Sequence, residues 1–110
     1  MKPKITASQV YSQTALIPKG RVGTYGDIAK ALGSPRSSRQ VGRFLHLNPH
    51  APKVPCHRVV HSDGRLGGYA KGVRKKIEML KEEGISIEKS RIADFEMVRF
   101  RGYSKALGKV

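Results

Sequence analysis

Apolar residues in the first third of this chain recur at helical spacing. Val10, Tyr11, Thr14 and Ile17 fall on one side of a helix. Thr6, with Gln9 three positions on, fits a capping box, so a first helix is expected over 6–17, ended by Pro18 and Gly20. Arg21-Val22-Gly23-Thr24 reads as a connector. Asp27 is placed to cap a short helix, Ile28 to Leu32, with Gly33 as its stop. Ser34-Pro35-Arg36 is a turn. Ser37 or Ser38 then caps a third helix through about Leu47, with Val41, Phe44 and Leu45 as its apolar side. Two helices about a short turn with a glycine in it, the second associated with Arg36, Arg39 and Arg43, predict a helix-turn-helix.

Beyond it the pattern changes. Asn48 to Pro55 holds three prolines and suits neither helix nor central strand, so an ordered loop is expected. Arg58-Val59-Val60 and Arg65-Leu66 flank Ser62-Asp63-Gly64, which predicts a hairpin. Residues 67–72 form a glycine-rich loop. Val73 to Glu83 is helical, with Val73, Ile77 and Leu80 apolar and Gly84 as the stop. In 85–110, Ile85 and Ile87, then Phe95, Met97, Val98 and Phe100, are candidate anchors, and the last ten residues read as polar and mobile. These elements predict a small α/β domain, mostly helical, with a winged-helix-like helix-turn-helix. The expected division is 1–84 as the functional domain and 85–110 as a partly flexible extension.

A chain of 110 residues supports one domain. Its charge sharpens the picture. The formal net charge is +14, and residues 1–77 hold 15 Lys and Arg against only Asp27 and Asp63. Excess placed in one stretch points to a polyanion-binding face, nucleic acid above all, over a uniformly basic, ribosomal-type surface. The single cysteine excludes an intrachain disulfide, and an intracellular, reducing setting (cytoplasmic and nucleoid-associated, or nuclear) is expected. No apolar stretch approaches a membrane span of about 20 residues, and Met1-Lys2-Pro3-Lys4 lacks the apolar run of a signal peptide. No membrane partner is expected.

That cysteine is the focus of candidate chemistry. It stands in Val54-Pro55-Cys56-His57-Arg58-Val59-Val60. A thiol attacks as its thiolate and needs a base or a positive field. His57 is adjacent, yet neighbours in an extended segment point apart, so it would act through a bridging water or a bent backbone. The carboxylates nearest in sequence to orient it are Asp63, Glu78, Glu82 and Glu83. Against this stands the plainer reading of Cys56 as a small buried hydrophobe. A metal site drawn from Cys56, His57, His61, His46 and His50 is disfavoured by its single thiolate and by Pro49 between the last two.

Pro55-Cys56-His57-Arg58-Val59 resembles the active-site motif of the O6-alkylguanine-DNA alkyltransferases, repair proteins that move an alkyl group from guanine onto their own cysteine. Further motifs agree in order: Pro18-Lys19-Gly20-Arg21-Val22, Thr24-Tyr25-Gly26, Ser38-Arg39-Gln40-Val41-Gly42, Asn48-Pro49, Gly67, Tyr69 and Gly72 in the glycine loop, and Glu83-Gly84. They cover about residues 6–84, the family's C-terminal DNA-binding and catalytic domain. The resemblance implies that Cys56 accepts the alkyl group, His57 deprotonates it through a water, Glu83 orients His57, and Asn48 braces the turn. It implies that Tyr25 crowds the target phosphate and Arg39 fills the gap left by an extruded base, with Ser38, Gln40, Gly42 and Arg43 on the DNA-binding helix, set in the minor groove. It implies a pocket at Tyr69, Leu45 and the backbones of Val59 and Ala70. Alkyl transfer at guanine O6 requires base extrusion. The implied partner is duplex DNA carrying O6-alkylguanine, met by a monomer, with neither an organic cofactor nor a metal.

The chain departs from the family in four places. It lacks the usual N-terminal α/β domain, as a natural short form, one part of a fusion or a piece of a longer chain would, so a fused domain or an excision-repair protein is a candidate partner. Ala70 stands where serine is common, Lys71 at a usually small or variable position, and Leu47 where glycine is common. Short alkyltransferase-like proteins bind alkylated DNA without repairing it, and carry tryptophan or alanine in place of the cysteine. Three functions are therefore open: transfer to Cys56, a non-enzymatic lesion sensor, and a plain DNA-binding regulator.

Overall fold

The computed structural model describes residues 5–104; the far end of the tail expected to be mobile, 105–110, lies outside them. Helix α1 runs Ala7–Thr14. Its capping box is formed: Thr6 Oγ1 accepts from Gln9 N at 3.1 Å, and Gln9 Oε1 accepts from Thr6 N at 2.9 Å. The helix stops three residues before the expected 17. Leu16 and Ile17 leave it through shorter-range backbone bonds, to Gln13 O and Thr14 O, and Ile17 is buried in the turn that leads to Pro18.

Gly23–Thr24 is a strand, β1, where a connector was expected; it pairs in parallel with β2, Val59–Val60. Helix α2 then spans Tyr25–Ala31. Its cap is Thr24, whose hydroxyl accepts from Asp27 N at 2.9 Å, not Asp27. The Asp27 carboxylate is held by Arg99 at 2.9 and 3.0 Å. Gly33 ends the helix at φ 78°, with Ser34 N bonding Ala29 O and Gly33 N bonding Lys30 O, a Schellman arrangement. Helix α3, Ser38–His46, follows Ser37, which makes no side-chain cap and instead shares a hydroxyl hydrogen bond with Ser34. Val41 and Leu45 are its buried face.

The expected hairpin around Ser62-Asp63-Gly64 is a turn without its strand pair. Val59–Val60 is taken by β1, and Arg58 belongs to a one-turn 3-10 helix, Cys56–Arg58. The return segment pairs instead with a later hairpin: Leu66 N bonds Ser90 O at 3.1 Å and Ile92 N bonds Gly64 O at 2.9 Å. That hairpin joins β3, Ile87–Glu88, to β4, Arg91–Ile92. Before it, helix α4, Val73–Glu82, buries Lys76 and Leu80, while Val73 is exposed, so the inward stripe is set by 76 and 80 and not by 73.

Two apolar clusters meet at the β1–β2 pair. Val59 points into one, with Val10, Ile28, Val41, Leu45 and Cys56; Val60 points into the other, with Val22, Leu66, Leu80, Ile85 and Ile92. Alternating strand residues serve opposite sides. The described tail closes over this seam. Val22 N bonds Val98 O, the last residue of helix α5 (Phe95–Val98), and Phe100 N bonds Val22 O. Gln13 and Ser104 exchange two hydrogen bonds. Met97, expected as an anchor, is exposed; Ile92 takes the buried position.

Candidate active site and nucleic-acid interface

A cleft of about 460 Å³ opens between α3, the start of α2, the 3-10 turn and the glycine loop. Its lining includes Tyr25, Ser38, Arg39, Gly42, Leu45, Cys56, Tyr69 and Ala70 from the expected set, and His46, His61 and Gly68 besides. Cys56 is buried, 7% exposed, so its thiol is reached only through this opening.

The backbone bends at Cys56 as the chemistry requires. Cys56 N bonds Val54 O, and Arg58 N bonds Pro55 O, which turns the chain and separates the thiol from the imidazole's carboxylate side. His57 is 1% exposed. Its Nε2 lies 3.0 Å from Glu83 Oε2, at the C-terminal cap of α4. A carboxylate accepts, so Nε2 carries the hydrogen and Nδ1 keeps a lone pair. Nδ1 is buried and meets no protein partner. Burial pulls His57 below the usual imidazole value, against the raising pull of Glu83. Burial pushes Glu83 up, but hydrogen bonds from Arg58 and His57 outweigh it and hold its carboxyl below the usual range.

Asn48 spans its loop: Nδ2 donates to Val54 O at 2.9 Å and Oδ1 accepts from His50 N at 2.8 Å. The three-proline segment is thereby tied to the residue two before Cys56. Tyr25 is pushed up to about 12 by burial and by the neighbouring Cys56, and its ring lies 5.2 Å from that of His61. Tyr69 stacks edge-on to His57 at 6.5 Å, its hydroxyl donating to Met79 Sδ at 3.6 Å. A side chain at Gly42 would meet the Tyr25 ring at 3.7 Å, ordinary contact, so nothing inside the chain demands glycine there.

Three expected residues lie elsewhere. Gln40 and Arg43 are exposed on α3 outside the cleft lining. Val59 is fully buried, and its carbonyl, expected to face the pocket, accepts from Lys76 Nζ at 2.7 Å. Among the described residues no three His, Cys, Asp or Glu side chains gather as a metal would need.

Two residues of the site were not read from sequence. Arg58 donates from Nε to Glu83 Oε1 at 2.9 Å, from Nη2 to Oε2 at 2.7 Å, and from Nη1 to Ile17 O at 2.8 Å. Lys76 donates from a fully buried ammonium to the carbonyls of Val59, Leu66 and Gly68, tying β2 to the glycine loop. Burial pulls Lys76 down to about 8, still charged at neutral pH, as three carbonyl acceptors require. The available signal for Lys76 was its position four before Leu80 on the inward side of α4.

Residues 6–85 match the family model for the 6-O-methylguanine DNA methyltransferase DNA binding domain. The chain belongs to this family. It is 41% identical over 99 residues to a bifunctional methyltransferase/endonuclease of Picrophilus torridus, covering 90% of this chain and 33% of that one. It is 48% identical over 75 residues to a methylated-DNA–protein-cysteine methyltransferase of Methanosarcina acetivorans, covering 68% and 48%. The chain thus spans a third to a half of these relatives. Its fold matches that of S. pombe ATL in complex with DNA at a TM-score of 0.72 and 31% identity, covering 86% of this chain and 93% of that one. No helix among the described residues is long and apolar enough to cross a membrane.

Proposed function

We propose that this alkyltransferase-family domain reverses O6-alkylguanine damage by moving the alkyl group onto Cys56, once per molecule. The observation that carries this reading is that Cys56 lines the cleft while its neighbour His57, buried, is hydrogen-bonded to Glu83. Glu83 fixes the Nε2–H tautomer of His57, which leaves the Nδ1 lone pair to take the thiol proton, through a bridging water. The thiolate attacks the alkyl carbon; the S–C bond forms, the C–O6 bond breaks, and the guanine leaves as its anion and is reprotonated. Tyr69 and the Ala70 backbone line the place where that base would sit. Arg39 and Tyr25, at the cleft mouth, are the groups to hold the gap in the stack and the turned phosphate. Repair in any sequence calls for backbone contacts, which the exposed arginines of α3 suit.

A second reading, a lesion sensor without transfer, is favoured by how nearly this chain covers the S. pombe ATL. Intact-mass spectrometry after incubation with a duplex carrying O6-methylguanine decides between them. Transfer adds one methylene to the wild type, mapped to Cys56, and nothing to Cys56→Ala. Tight lesion binding with no mass gain overturns the transfer reading.

A further inference from the structure

A second cleft, of about 320 Å³, opens beside the first, and His61 belongs to both. One wall is the turn after β2, with His61, Arg65 and Gly67; the other is the tip of the β3–β4 hairpin, Lys89, Ser90 and Arg91. Lys89 and Ser90 both take left-handed backbone, φ 51° and 63°, the form a two-residue hairpin turn needs. The hairpin does not hang free. Leu66 N bonds Ser90 O, Ile92 N bonds Gly64 O, and Arg91 Nη1 donates to Asp63 O at 3.1 Å, while Ile92 is buried in the second cluster. Its tip is therefore held at a fixed distance from Cys56.

The charges on this tip are not all consumed within the chain. Arg65 is engaged by Asp63, Nε to Oδ2 at 2.8 Å. Lys89 and Arg91 are exposed, and among the described residues neither forms a contact ion pair; Glu88 faces Arg91 across the hairpin without reaching it. Residues 87–92 also lie beyond the stretch that the family model matches. A cationic tip fixed next to the cleft that holds Cys56 has no use in burying the thiol or placing the base.

We infer that the β3–β4 turn is a second contact for the sugar-phosphate backbone of a DNA duplex, flanking the one made by α3. This rests on the DNA reading above. A duplex seated on Arg39 and Tyr25 extends past the first cleft, and its phosphates pass His61 into the second. Lys89 and Arg91 meet them as charges, so the contact adds affinity for any sequence and carries none of the preference for the lesion.

The test compares wild type with Lys89→Ala/Arg91→Ala. Binding of a labelled plain duplex and of the same duplex with one O6-methylguanine is measured across a salt series. Losing two phosphate contacts should reduce the slope of log affinity against log salt by about 2. At low salt both affinities should fall alike, on the order of tenfold, and their ratio should hold. Lys89→Gln alone, which leaves the Arg91–Asp63 bond in place, should reduce the slope by about 1, so a loosened hairpin cannot mimic the result. Unchanged slope and affinity in both variants overturn the second contact while leaving the main reading standing. A wild type that binds neither duplex overturns the DNA reading itself, and this inference with it.

Discussion

Glu83 Oε2 accepts two hydrogen bonds at once, from His57 at 3.0 Å and from Arg58 at 2.7 Å. The guanidinium draws on charge that would otherwise stabilise a protonated imidazole, and its own charge also acts against one. Arg58→Gln should therefore raise the pKa of His57, followed by NMR titration of its ring. Arg58→Lys, which keeps the charge but loses the fork, should raise it less; a titration unmoved in both variants would reduce Arg58 to packing. The same depressed imidazole sets a pH dependence. The unfolded chain protonates His57 near 6.5 and the folded chain does so only lower, so stability is full above that value and declines as pH falls from it towards the folded pKa. The stability difference between wild type and His57→Gln, from chemical melts between pH 8 and 5, should be constant above about 6.5 and move against the wild type only in that acid window. At Lys76, replacement by Met strips three buried carbonyls of their donor and should cost about 2–4 kcal/mol, read from urea midpoints. Cys56, His57 and Glu83 were legible in sequence because the motif order carries them. Arg58 and Lys76 were not, because each works through a partner brought close only by folding.

The helices were legible for a local reason. Thr6 with Gln9, Gly33 and Gly84 are start and stop signals that act within one turn, and all three do so here. The strands were not. Gly23–Thr24 is too short to show alternation, and its partner Val59–Val60 is remote in sequence, so the valines were assigned to a nearby hairpin that the chain does not form. Asp27 shows the same limit: its carboxylate turns to Arg99 because a distant segment offers a better partner than the helix end. The β1 strand has one further demand. A side chain at Gly23 would run into Tyr103 Oη and come within 2.6 Å of Ile17 Cδ1. Gly23→Ala should cost about 1–3 kcal/mol by overpacking, and adding Tyr103→Phe should recover part of the loss in thermal melts. Equal stability of Gly23→Ala and wild type would show that the tail gives way instead.

The described part of 85–104 returns over the helices that precede it. Ile85 and Ile92 complete the second cluster, Arg99 grips Asp27, and Ser104 pairs with Gln13. A chain ended at Gly84 should thus lose its cooperative unfolding transition in circular dichroism; a sharp transition in that fragment would make 1–84 a domain in its own right. The order of assembly follows from the parallel pair at the centre. Strand β2 begins one turn after Cys56, and its partner, Gly23–Thr24, lies far back in the sequence, so the loop between them must close before either cluster is complete. Until then the thiol stands in water, and afterwards it is reached only through the cleft. The chain's single cysteine is consequently a built-in gauge of the opening above it: the rate at which a small thiol reagent captures it, without any denaturant, should fall whenever something fills the cleft.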